Sequence, residues 1–171
     1  MSKAQLKKYV QGLDREHLEE FVLDIYSDVK AAKEYLDFFL NPDVNKVVEK
    51  TQRAIYSKVF RPNGDPVLKL KFTKINDIMK DFTNKVRDPY IVADMMVYLL
   101  TLLCQYGSKY GHGEAFVRSL VANFGRLSKW LVSSGLENEY KVKVSALIEK
   151  THKIGWGCTD WVYNSIDPCF E

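Results

Sequence analysis

Tyr90-Ile-Val-Ala-Asp-Met-Met-Val-Tyr-Leu-Leu-Thr-Leu-Leu-Cys-Gln105 is the most apolar stretch of the chain, and its reading decides the fold. At roughly 100° per residue, Asp94, Tyr98, Thr101 and Gln105 share one arc of about 60° on a helical wheel. From Ile91 onward every other position is Ile, Val, Met, Leu, Ala or Cys. A helix so apolar needs neighbours on most of its sides. It is expected as the central post of a helical domain, over residues 89–106. A membrane span is the competing reading. The apolar run falls short of the roughly 20 residues that a bilayer core requires. Burying Asp94 in lipid would add about 2.5–3.5 kcal/mol on insertion scales. A soluble helix is therefore expected.

The start and stop signals on either side divide the rest of the chain into helices. Ser2 and Asp14 are N-cap candidates for the first two. Leu18, Phe21, Val22, Ile25, Tyr26 and Val29 repeat at helical spacing, and Ala32, Tyr35, Leu36 and Phe39 continue the pattern. That second helix is expected either to run unbroken to Leu40 or to bend near Ser27-Asp28. Asn41-Pro42 reads as a boundary, because Pro suits the first helical position. A third helix follows to about Phe60. Arg61-Pro-Asn-Gly-Asp-Pro66 reads as a turn or loop. Leu68, Leu70 and Phe72 then alternate with Lys69 and Lys71, which predicts a short extended linker pressing its apolar side chains onto helices. Asp88-Pro89 opens the central helix and Gly107 is expected to close it. The next helix, 114–134, should be its antiparallel neighbour, with Gly125 permitting close approach. A helix from Thr73 that turns Ile75, Ile78, Met79, Phe82 and Val86 inward, one over 136–154 and a last short one ending near Ser165 complete the set.

The 171 residues fit a single domain, 1–171, in which loop 61–72 joins an N-terminal helical part to a C-terminal one. A net charge of +3 is too small to imply a polyanionic partner. The basic N-terminus is followed by no apolar core, so no signal peptide is expected there. Cys104, Cys158 and Cys169 make an odd count without metal-like pairing, and a reduced, cytoplasmic setting fits them.

Four features carry candidate chemistry. Residues 46–87 hold eleven lysines and arginines against Glu49, Asp65, Asp77 and Asp81, a possible phosphate-contacting face. Those charges lack interleaved aromatic residues for base stacking, so a solvated surface is the plainer reading. His17, His112 and His152 have no ligand spacing, and no metal is expected. Asp94, Tyr98, Thr101 and Gln105 form a polar seam. Its Asp94 and Tyr98 could serve acid–base chemistry, although a wet edge or bonds to neighbouring helices explain the seam more simply. Lys150-Thr-His-Lys-Ile-Gly-Trp-Gly-Cys-Thr-Asp-Trp161 is the most individual stretch. Trp156 and Trp161 could staple a helix end to the core. Alternatively His152, Trp156, Asp160 and Trp161 could line a small pocket or partner groove. No nucleophile elbow, phosphate loop or dinucleotide fingerprint is present, so no catalytic residue or cofactor is assigned.

Two segments resemble a known family. Lys33-Glu-Tyr-Leu-Asp-Phe-Phe-Leu-Asn-Pro42 is similar to its early helix-to-Asn-Pro junction. Ile154-Gly-Trp-Gly-Cys-Thr-Asp160 resembles its Ile-Gly-Trp-Gly-x-x-Asp turn. The family comprises small bacterial helical proteins known only as a domain of unknown function. The position of Cys158 is often aromatic there, which argues against a catalytic cysteine. The resemblance spans nearly the whole chain. It implies a bacterial cytoplasmic helical protein and supplies no activity, cofactor or site residue.

The expectation is an all-α protein of about eight helices in antiparallel pairs, solenoid-like or an irregular bundle, around helix 89–106. Its expected role is a non-enzymatic protein-interaction module, acting on a protein partner or by self-association, away from membranes. Nucleic-acid binding at 46–87 is one alternative. A small-ligand binder or enzyme near 152–161 is the other.

Overall fold

The computed structural model describes residues 2–40, 43–110 and 113–170. The expected Asn41-Pro42 boundary, Gly111, His112 and the side chains of Phe38 and Phe39 lie outside the described residues. The chain forms two compact units, residues 1–43 and 44–171.

The first unit holds α1 (Lys3–Gln11), α2 (Arg15–Asp28) and α3 (Lys30–Leu40). Ser2 caps α1 through a capping box: its Oγ accepts from the Gln5 amide at 3.3 Å, and its own amide donates to Gln5 Oε1 at 2.8 Å. Asp14 Oδ1 accepts the His17 amide at 2.9 Å and opens α2. Val29, in extended conformation (φ −114°, ψ 99°), separates α2 from α3, so the long second helix is two. The Tyr26 hydroxyl donates to Asp37 Oδ1 across them at 2.7 Å. Phe21, Ile25 and Leu36 are half-buried, and none of the unit's described residues is fully buried.

The second unit contains α4 (Val44–Val59), α5 (Phe72–Lys85), α6 (Pro89–Tyr110), α7 (Glu114–Ser134), α8 (Glu137–Thr151) and α9 (Cys158–Tyr163), then a 3-10 turn at Pro168–Phe170. Helix α6 is the post, packed on α4, α5, α7 and α8. A solenoid repeat touches only its neighbours along the chain. A helix shared by four others belongs to an irregular bundle. Asp88 Oδ1 accepts the amides of Tyr90 (2.9 Å) and Ile91 (3.2 Å), so the expected cap forms ahead of Pro89. Val92, Leu99, Leu100 and Leu103 are buried along its length. Its 22 residues are long and apolar enough to cross a membrane, and 56% of its most apolar window is buried inside the protein. That burial is what a core helix shows.

Three glycine and loop expectations change. Gly107 does not end α6, which continues to Tyr110. A Cβ there would lie 2.9 Å from Phe116 Cε1 and 3.0 Å from Ile154 Cδ1, so its role is close packing. At Gly125 a Cβ would meet the Ser165 carbonyl oxygen at 3.2 Å, so the close neighbour is the C-terminal segment, not α6. The Asn63-Gly64 turn closes a short pairing. Phe60 pairs with Pro66 in an isolated antiparallel bridge, and the Val67 amide donates to the Val59 carbonyl at 3.1 Å. Beyond it Leu70 and Phe72 are half-buried, but Leu68 is 92% exposed and presses on nothing.

Candidate functional site

The turn after α8 is built from three consecutive residues in the left-handed region: Gly155 (φ 77°), Trp156 (φ 56°) and Gly157 (φ 61°). Glycine adopts that region freely, whereas an aromatic residue rarely does. Beneath the turn the buried Thr151 and Thr159 hydroxyls share a hydrogen bond of 2.9 Å, and Thr151 Oγ1 donates to the Ile148 carbonyl at 2.6 Å. His152 Nδ1 lies 3.4 Å from Thr159 Oγ1, and its Nε2 is 3.7 Å from Glu149. Trp156 does not staple the helix end to the core, because that side chain is 62% exposed. Trp161 is half-buried, with the Arg118 guanidinium 5.4 Å above its ring. Asp160 is exposed. Among the described residues no hydrogen bond joins any two of His152, Trp156, Asp160 and Trp161. The buried Thr151 and Thr159 hydroxyls, with His152 at their edge, link the residues on either side of this turn.

The polar seam of α6 separates onto different neighbours. Asp94 Oδ1 accepts from the Tyr140 hydroxyl and the Lys143 ammonium of α8, both at 2.9 Å. Burial, and then the Asp94 carboxylate, push the Tyr140 hydroxyl well above its ordinary range, so it remains a protonated donor. The Tyr98 hydroxyl faces α4, 3.5 Å from the Gln52 carbonyl. Thr101 donates back to the Val97 carbonyl of its own helix at 2.9 Å, and Gln105 is exposed.

The basic residues spread over α4, the loop after it and α5. Arg53 pairs with Glu49 at 3.4 Å and Lys85 with Asp81 at 2.9 Å, which removes two cations from any continuous field. Among the described residues no group of three or more His, Cys, Asp or Glu could hold a metal ion. The three cysteines are free. Burial pushes the Cys104 thiol up to about 12 and the Cys158 thiol up to about 11, which makes both poor nucleophiles.

Two concavities stand out. In the first unit, Leu6 and Tyr9 of α1 and Phe21 of α2 line a groove of about 710 Å³. The Tyr9 and Phe21 rings meet edge to face, 5.8 Å between centroids. In the second unit, a cleft of about 310 Å³ opens between α5, α6 and α7. Its floor is Met79, Leu99 and Leu100, all buried. At its rim Arg126 Nη1 donates to Asn76 Oδ1 at 2.7 Å and to Asn123 Oδ1 at 3.2 Å. Asn123 is itself buried, and its Nδ2 donates to the Ser119 carbonyl at 2.8 Å.

Sequence reasoning passed over Asn76, Asn123 and Arg126. A signal did exist. Asn123 falls three residues after Leu120 and four before Leu127, on the apolar face of α7. A polar amide on such a face must find partners.

No curated protein and no solved structure matches the chain. A family model does match, over residues 1–171, and the chain belongs to that family of unknown function, DUF6155.

Proposed function

We propose that the chain is a non-enzymatic protein-interaction module whose first unit is the docking element. One observation carries this reading. None of the described residues of the first unit is buried, yet Leu6, Tyr9, Val22, Leu23 and Leu40 present 42% to 69% of their surface to solvent. Helices of ordinary length gain most of their stability from packing an apolar face. Exposed apolar side chains gathered about one groove, as Leu6 and Tyr9 are beside the half-buried Phe21, mark an interaction surface more often than scattered ones do. An apolar groove between two helices is the kind of surface on which an amphipathic helix docks. The occupant proposed is such a helix from a partner protein.

The test compares the full chain with Leu6→Asp and Tyr9→Asp as baits in native lysate. Partners captured by the wild type should be lost from both variants, and hydrogen exchange in the recovered complex should slow over α1 and α2. Equal capture by the variants, or protection confined to other helices, would sink the proposal.

A further inference from the structure

We infer that the cleft between α5, α6 and α7 binds a small amphipathic carboxylate, with an acyl or aryl body on the floor and its carboxylate between Lys80 and Arg126. This site is separate from the α1–α2 groove and does not rest on the docking role.

The volume, about 310 Å³, lies at the lower end of the range for small-molecule sites, roughly 300–1,000 Å³. The floor offers Met79, Leu99 and Leu100, and Met96 stands half-buried at the mouth. Methionine side chains are flexible and polarisable, and they adapt to an apolar guest. The charged lining is one-signed. Lys80 and Arg126 are present, and no Asp or Glu lines the cleft. Neither cation has a carboxylate within ion-pair distance among the described residues.

The state of Arg126 adds direction. A guanidinium carries five N–H donors. Here only Nη1 is engaged, by the amide oxygens of Asn76 on α5 and Asn123 on α7. Those bonds fix the plane of the group. Its Nε and Nη2 make no hydrogen bond among the described residues, and that edge is the fork that receives a carboxylate in two parallel bonds. An arginine serving only to tie α5 to α7 would need no apolar cleft beside it and no second cation at the rim. Asn123 completes the support, since its own amide is held by the Ser119 carbonyl. The guanidinium is thus placed before any ligand arrives, which lowers the ordering cost of binding.

The experiment titrates the full chain with octanoate, octanol and acetate, read by calorimetry and by amide chemical shifts. Octanoate should bind and perturb α5, α6 and α7. Octanol lacks the charge and acetate lacks the body, so each should bind at least about tenfold more weakly. Lys80→Gln and Arg126→Gln should each weaken octanoate toward the octanol level while leaving octanol unchanged. Met96→Trp should block both by filling the mouth. If Arg126→Gln melts early, Lys80→Gln decides, because that side chain is exposed and bonds to nothing described. The inference is overturned if octanoate does not bind, or if octanol or acetate matches it. It is equally overturned if Lys80→Gln and Met96→Trp keep wild-type octanoate affinity.

Discussion

Gly107 lacks a Cβ because the space beside it is already occupied. Phe116, whose ring would be met at 2.9 Å, is held between Phe72 and Tyr106, each 5.9 Å away between centroids. Two effects oppose one another in Gly107→Ala. Helix propensity favours alanine by about 1 kcal/mol. Overpacking a filled site costs about 1–3 kcal/mol. The pinned ring makes the second effect larger, so Gly107→Ala should lower stability in a urea titration, and a gain would show that the ring moves aside freely. From sequence, a glycine after an apolar run reads as a helix end, because the ring that needs its space lies in another helix. The cysteines show the same limit. Their count suggested reduced thiols, whereas their reactivity depends on burial. Disulfide-exchange reagent at pH 8, an ordinary assay condition, should label Cys169 quickly, and Cys104 and Cys158 only after unfolding. Rapid labelling of either buried thiol in the folded protein would contradict their raised values, about 12 and about 11.

At the scale of elements, signals written in neighbouring residues were legible, and signals needing a distant partner were not. Ser2, Asp14 and Asp88 each cap the helix that follows, since an N-cap bonds to amides two or three residues on. The central position of α6 was legible too, because an apolar wheel demands neighbours. Leu68 and Leu103 are both leucines in apolar-patterned segments, yet one is 92% exposed and the other 0%. Leu103→Ala should cost about 2–5 kcal/mol. Leu68→Ala should fall within about 0.5 kcal/mol of wild type. Chemical denaturation of the pair checks both. Equal losses would mean that α6 is not the core. The cleft rim follows the same rule. Arg126 looks like any solvated arginine until α5 brings Asn76 to within 2.7 Å.

At the scale of the whole molecule, burial divides the chain more sharply than sequence does. Among the described residues the buried hydrophobic side chains run from Ile55 to Phe170, all within residues 44–171. Residues 1–43 match the rest in helical periodicity and capping but bury none of their described side chains. Periodicity states which face of a helix is apolar. It does not state whether anything covers that face, so the division between the units was not legible. The consequence is thermodynamic. Chains near 40 residues fold alone only with a disulfide, a metal or association to help. Helices of fewer than about 12–15 residues are marginal in water without packing. Fragment 44–171 should therefore melt cooperatively by circular dichroism, with protected amides in α6 and α7. Fragment 1–43 should lose its helical signal gradually and exchange its amides quickly. A sharp, concentration-independent melt of fragment 1–43 would falsify the division, because it would require a core that its described side chains do not form. A melt that sharpens with concentration would instead show these helices covering their apolar faces by association, the behaviour expected of a docking element.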